Sequence, residues 1–422
     1  MSTREKMSRA GVLLGFLGLV VTATPQSVSA QSITLGAGSS LGCATSNNGT
    51  GHLVCMVSDG SLLGQSWLAP PNAGTQNSET LTAGVPVTGA PGCAPRNDGN
   101  GTATCMVITV QTANAFASTG IEDTGITPLA PTANTLFIRG FSFYPPTNTS
   151  SAITLQSNVT GPQPLSTSIP SCVPNNRINV ICSFVLNGQM TAIEFDPISG
   201  SAAGMASLPF GTGFTANATG GLACSAVPST PTAEVSICAT TQSGNLVGLA
   251  FDLAGTAKSM SLFAVTPPTG ANVAPVSCAT PQDNSNSSQV ICAVVSGKSL
   301  LGVAFDPRTQ TKSSVMNLGT APDTGQWGHS VGCAFSNDPN NLNLVTCAVL
   351  SSSGAVYAIK FDPRLNQATG INGPFISGVN RDLSCVTLAI DNNQITCGAI
   401  ATSNNSVGGN AIGFNVPFAS GL

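Results

Sequence analysis

Charged residues are scarce in this sequence. They make up 7% of 422 residues, against roughly 25% in an ordinary soluble domain, and the net charge is −4. The 13 lysines and arginines form no basic cluster, which excludes nucleic acid as a partner, since phosphate binding needs concentrated positive charge. Histidine is scarcer still: His52, in "NGTGHLVC", and His329, in "TGQWGHSVGC", are the only two. Neither adjoins a nucleophile motif, so a Ser-His-Asp site has no support. No Cys-x-x-Cys pair, no D-x-D-x-D-G loop and no phosphate-binding glycine loop ahead of a helix occurs. The sequence therefore offers no catalytic residues, no metal ligands and no cofactor. Aromatics are 5%, with Trp67 and Trp327 the only tryptophans, so the core must be built from Val, Ile, Leu, Ala and Phe.

What is present begins with a leader. Arg4, Lys6 and Arg9 precede the apolar run Gly11 to Ala23, and Val28-Ser29-Ala30 supplies a small-residue cleavage site. Residues 1–30 read as a secretory signal peptide, and residues 31–422 as one mature domain. The leader's apolar run is too short for a membrane span of about 20 residues, and no later stretch is long enough. Without the leader ten basic and sixteen acidic residues remain, a net charge of −6. Secretion places the chain outside the cell or in a periplasm.

All 14 cysteines lie after the leader, and they fall into close pairs: Cys43 and Cys55, Cys93 and Cys105, Cys172 and Cys182, Cys224 and Cys238, Cys278 and Cys292, Cys333 and Cys347, Cys385 and Cys397. Every separation within a pair is even. Opposed residues in a hairpin with an odd-length loop are separated by an even number, and close cross-strand partners suit a disulfide. In an exported chain the pattern predicts one disulfide per pair.

First cysteines follow one another at 50, 79, 52, 54, 55 and 52 residues, an internal repeat with one outlier. Each unit reads as four strands. A short strand carries the first cysteine, and a β-rich run carries the second. After a Gly/Ser turn an apolar strand ends in a phenylalanine, at Phe195, Phe251, Phe305, Phe361 and Phe414, with Trp67 in the first unit. The phrase "IEFDPISG" returns as "LAFDLAG", "VAFDPRT" and "IKFDPRL", where Asp196, Asp252, Asp306 and Asp362 open a turn toward the fourth strand. The outlier is the second unit. Phe143 fills its phenylalanine slot 38 residues after Cys105, which implies an insertion near residues 112–133 between strands two and three.

The last unit lacks room for a fourth strand, and the mature N-terminus carries a spare strand-like run, "SITLG". The expected fold is all-β: a seven-bladed β-propeller of four-stranded blades, one disulfide per blade, closed by the N-terminal strand. An open β-solenoid is the alternative.

The strand order in "PVSCAT" and "SQVICAVVSGKSLLGVAFDP" resembles that of the fucose-lectin-type seven-bladed propellers and their bacterial lectin-like relatives, over the whole mature chain. The resemblance implies the fold. Those lectins hold sugar with aromatic and charged residues between blades, whereas "LLGVAF" here is aliphatic where the family is aromatic-rich, so sugar binding does not carry over with the fold.

Candidate ligand contacts are therefore sought among features that do not repeat. Trp327 and His329 lie in a loop joining two units, on the same predicted face as the insertion with Glu122 and Asp123. Trp327 reads either as a stacking surface or as a filler between blades, and Glu122-Asp123 either as ligand contacts or as a solvated loop tip. Seven N-x-S/T sequons, at Asn48, Asn100, Asn148, Asn158, Asn217, Asn286 and Asn404, are glycosylation acceptors if the source is a eukaryote, and they fall on both faces. The sequence thus points to a secreted recognition or surface-interaction module, with a glycan or an extracellular protein surface as partner. A glycan-processing hydrolase or lyase on a propeller scaffold is the alternative, favoured if carboxylates cluster at the channel mouth.

Overall fold

The computed structural model describes residues 33–34, 40–45, 52–58, 62–68, 77–81, 89–96, 98–111, 134–147, 149–161, 168–174, 178–186, 189–202, 206–209, 221–227, 235–252, 257–280, 289–335, 344–387, 394–403 and 406–417. Residues 1–30, expected to be a leader, the segment 112–133 with Glu122 and Asp123, and the sequons at Asn48, Asn148, Asn217, Asn286 and Asn404 lie outside them.

Alternating apolar runs rich in Val, Ile and Phe, broken by Gly, Asn and Asp-Pro turns, fold as strands throughout. After β1 (Ile33–Thr34), the first sheet is β2 (Ser40–Thr45), β3 (His52–Ser58), β4 (Leu62–Leu68) and β5 (Asn77–Leu81). The second is β6 (Gly92–Pro95), β7 (Ala103–Gln111), β8 (Asn134–Tyr144) and β9 (Thr149–Gly161). The third holds β10 (Ser171–Pro174), β11 (Val180–Leu186), β12 (Gln189–Asp196), β13 (Ser201–Ala202) and β14 (Ala206–Pro209). The fourth is β15 (Leu222–Val227), β16 (Val235–Gln242), β17 (Asn245–Asp252) and β18 (Ala257–Ala264). The fifth holds β19 (Val276–Ala279), β20 (Val290–Ser296), β21 (Ser299–Asp306), β22 (Thr311–Lys312) and β23 (Met316–Gly319). The sixth holds β24 (Trp327–Phe335), β25 (Val345–Ser351), β26 (Val356–Asp362), β27 (Gln367–Ala368) and β28 (Asn372–Ile376). The last is β29 (Val379–Thr387), β30 (Gln394–Ser403) and β31 (Ser406–Pro417), completed by β1, whose Ile33 pairs with Ala411.

These antiparallel four-stranded blades make a propeller. In the third, fifth and sixth the fourth strand is broken into two short pieces that both pair with the third strand. The break follows the Asp-Pro loop, which closes through a residue with positive φ: Gly200 at 69°, Gln310 at 56° and Asn366 at 52°.

Each predicted cysteine pair is a disulfide between directly opposed residues on the first two strands, with Cα atoms 4.0 or 4.1 Å apart. The close cross-strand site is the one a disulfide can span. No free cysteine remains among the described residues.

Between sheets apolar side chains cluster, and a recurring contact sets a side chain on bare backbone. The Phe195 ring lies on Gly140 of the preceding sheet, Phe305 on Gly248 and Phe361 on Gly302; a Cβ at each glycine would stand 2.4, 2.5 and 2.6 Å from the ring. Each small residue stands three before its own sheet's phenylalanine slot. Alanine takes the position at Ala192, clustered with Phe251, and at Ala358, clustered with Phe414. Near the axis a second device repeats. The amides of Cys224, Cys333 and Cys43 donate to Ser171 Oγ, Ser277 Oγ and Ser384 Oγ of the neighbouring sheet at 2.9, 2.9 and 3.0 Å. Where glycine precedes the cysteine, as at Gly42 and Gly92, it abuts the carbonyl of Pro91 or Pro170.

The seating predicts a coupled response. Gly302→Leu should destabilise by about 1–3 kcal/mol in chemical denaturation through overpacking. In a Phe361→Ala background, where the ring is gone, its cost should shrink. Strictly additive costs in this double-mutant cycle would contradict the contact.

Candidate functional site

The repeated carboxylates are structural. Asp196, Asp306 and Asp362 are buried, and each accepts the backbone N–H two residues on, from Ile198, Arg308 and Arg364, at 3.1, 2.9 and 2.9 Å. Arg308 and Arg364 also fold back onto their own aspartates through Nε and Nη2. The third sheet has Ile198 at that position, and Arg96 of the second sheet supplies the cation instead, 3.0 Å from Asp196, with Asp98 on its other nitrogen. Burial pushes the Asp196 carboxyl upward, but its bonds to Arg96, Ser199 and Ile198 outweigh that and hold it below the ordinary carboxylate range. Asp252 stands at the corresponding end of β17.

Trp327 is a core residue. It is 2% exposed, packs in the cluster between the fifth and sixth sheets, donates Nε1–H to the Gly319 carbonyl at 3.0 Å and meets Tyr357 edge-on at 6.1 Å. Of its two sequence readings the structure places it in the filler role, because the preceding sheet folds over its ring. His329, two residues on, is exposed, with its ring edge beside Gly270 of the loop leading into the fifth sheet. His52, on β3, is partly buried, and burial lowers its pKa. Asn100 is exposed in the hairpin ahead of β7, and Asn158 lies in β9. On the rim beside Trp327, Asp323 accepts hydroxyl protons from Ser351, at 2.9 Å, and from Ser353, tying the loop into the sixth sheet to that sheet's own hairpin.

The first strands of neighbouring sheets pack on one another, and one of them carries charges the sequence reading passed over. Three and four residues before the first cysteine the seven units have Ser40, Ala90, Ile169, Gly221, Pro275, Ser330 and Asp382, preceded by Ser39, Gly89, Ser168, Gly220, Ala274, His329 and Arg381. Only the last unit places a charged pair there, and that exception was the available signal. β29 slips register against β30 on both sides of Arg381, and Asp382 has a φ of 53°. Ser40 Oγ–H and the Leu41 N–H, both from β2, donate to the Asp382 carboxyl. Its Oδ2 is buried without a partner. Burial pushes this carboxyl up to about 6, against the pull of Arg381 and the two hydrogen bonds. Among the described residues no group of three or more His, Cys, Asp or Glu is placed to hold a metal.

No protein-family model matches this chain, and no curated protein does. Solved structures do. AofleA from Arthrobotrys oligospora superposes with a TM-score of 0.50 at 9% identity, covering 92% of each chain. An alpha-L-arabinanase from Penicillium chrysogenum gives 0.49 at 10% identity, over 79% of this chain and 99% of that one. The BP39L lectin from Burkholderia pseudomallei gives 0.47 at 13% identity, over 92% and 100%. The AofleA likeness is one of fold alone. The chain is an all-β propeller of four-stranded blades carrying seven disulfides. Among the described residues no helix is long and apolar enough to cross a membrane. Disulfides on this scale are consistent with an oxidising, extracellular setting.

The Arg96–Asp196 pair gives a test. Both side chains are under 10% exposed, so Arg96→Met, which strands a buried carboxylate, should cost about 3–5 kcal/mol. A carboxylate held low in the folded state contributes stability that is full above its unfolded value near 4 and is lost as pH falls. Urea unfolding at pH 5 and pH 3 should show a shallower acid loss in Arg96→Met than in wild type. Parallel losses would contradict the assignment.

Proposed function

We propose that the chain is a secreted, non-enzymatic recognition module, a closed ring of seven blades that engages a glycan or an extracellular protein surface at one non-repeated region. The observation that carries this reading is what the repeated side chains are used for. Phe195, Phe305 and Phe361 fill seams between sheets, and Asp196, Asp306 and Asp362 fasten turns. Residues so used are not free to hold seven equivalent ligands. Closure is supported by the first strands, each of which packs on the next, β2 on β6, then β10, β15, β19, β24 and β29, and β29 on β2.

The contact region proposed is the face that carries His329. The segment 112–133, with Glu122 and Asp123, which connects β7 to β8 in the chain, is proposed as part of the same contact region. Trp327 supports this face from beneath.

A second reading, a glycan-processing hydrolase or lyase, has one observation in its favour. The Asp382 carboxyl is pushed up to about 6, where a carboxyl can donate a proton near neutral pH. Glycosidic cleavage asks for a second carboxylate within roughly 5–9.5 Å. The described strands packed against β29 carry none.

The experiment is a glycan array on the purified mature protein, followed by calorimetric titration of a hit on wild type, His329→Ala and a variant lacking residues 112–133. One or two sites per chain, weakened at least tenfold by either change, is the expected result. A stoichiometry near seven, or indifference to both changes, would overturn the site. Release of shorter sugars from the hit during incubation would favour the hydrolase.

A further inference from the structure

The seam between β29 and β2 differs from its neighbours in chemistry and in connectivity. Adjacent sheets elsewhere are joined by continuous chain. Here the last sheet meets the first, and the chain link from β1 into β2 is held to the last sheet by the pairing of β1 with β31; the Cys43 amide on Ser384 Oγ and Gly398 against the Cys43 and Cys55 sulfurs add further non-covalent contacts. Into this seam β29 sends Asp382 from a left-handed backbone position and a doubly irregular stretch of strand. One side of its carboxyl is held by Ser40 and Leu41 of β2, and Oδ2 is enclosed with no donor facing it.

We propose that this seam is an acid-stabilised latch: Asp382 closes the ring most firmly when its carboxyl is neutral, and its ionisation loosens the contact between the last and first sheets. The inference rests on the closed-ring reading above. Two buried lone pairs without a donor are tolerable on a neutral acid and costly on an anion. Few charges are near enough to offset that cost. On β29 itself there is Arg381, the largest opposing influence, and on β24 there is His329; the described residues of β2, β25 and β30 contribute no ionisable side chain other than disulfide-bonded cysteine.

The sign follows from where the carboxyl titrates. Its folded value, about 6, lies above the model value of 3.8. The folded chain therefore binds the proton more tightly than the unfolded one. The seam has its full strength below about pH 4, weakens as pH rises, and has lost this contribution above about pH 6. This runs opposite to Asp196, whose contribution fades as pH falls. A separation of this size corresponds to at most about 100-fold in the equilibrium for opening the seam.

Hydrogen–deuterium exchange on the full mature chain reads that equilibrium directly. Protection factors, corrected for intrinsic exchange, are measured for β2 and β29 amides in steps from about pH 4 to pH 8, with β20 as internal reference, and compared at pH 5 and pH 7.5. In wild type β2 and β29 should lose protection relative to β20, by up to about tenfold, as pH rises. Asp382→Asn keeps the shape and tolerates the positive φ, and it should abolish the difference between the two pH values. Ser40→Ala removes a bond that favours the anion, and should move the wild-type midpoint to higher pH. Equal protection at both pH values in wild type, a pH response that survives in Asp382→Asn, or an unmoved midpoint in Ser40→Ala would each overturn the latch. Failure of the closed ring itself looks different: β2 and β29 would be unprotected at both pH values in every variant.

Discussion

A phenylalanine ring seated on the bare backbone of the preceding sheet is the contact on which the rest of this structure depends. Phe195, Phe305 and Phe361 are 1% exposed or less, and each covers a glycine that has no room for a side chain. Burying one such ring contributes about 1.5–3 kcal/mol, but its larger effect is geometric. The ring fits at one height along the neighbouring strand, so it fixes the register between sheets that share no backbone hydrogen bonds. With so few aromatics in the chain, one well-placed ring per seam does what broader aromatic packing would otherwise do.

The covalent and non-covalent fastenings divide the labour. Disulfides tie the first strand of each sheet to the second, which secures the short inner strands against fraying; in the chain-entropy model a loop of this length is worth up to about 3 kcal/mol. They do nothing across a seam. There the serine or glycine before the first cysteine either accepts the next sheet's amide or lets its carbonyl approach. The contact of Cys43 with Ser384 is of the same kind as those of Cys224 with Ser171 and Cys333 with Ser277. The junction of the last and first sheets thus uses the device found at chain-linked junctions, with the Asp382 carboxyl added to it.

Much of this was legible in the sequence, because the constraints that produced it are local. Even cysteine spacing follows from cross-strand opposition, and the Asp-Pro phrase carries its own turn chemistry. The phenylalanine slot was visible, but its seat was not: a glycine or alanine three residues earlier has no bulk to mark it, and the ring it receives belongs to another sheet. Broken fourth strands went unread because the break comes only after Ala202, Lys312 and Ala368, two residues into the strand, where no shared residue marks it. Trp327 could not be placed from sequence alone, since its burial is decided by the fifth sheet and the Gly319 carbonyl rather than by its neighbours in the chain. Arg381 and Asp382 were the readable signal left unused, a charged pair where every other unit is uncharged or carries a single histidine. The expected leader, residues 1–30, and Glu122 and Asp123 lie outside the described residues.

The central claim is that the chain closes on itself, with β1 completing the sheet that β29 begins. The most direct measurement compares the thermal stability of two truncations of the mature chain, one lacking Gln31 to Gly36 and one lacking Ala419 to Leu422. Loss of the first segment removes the outer strand of the last sheet and one fastening of the ring, so its melting temperature should fall by several degrees while the second stays near wild type. Equal melting temperatures for the two would contradict closure and favour an open array of blades.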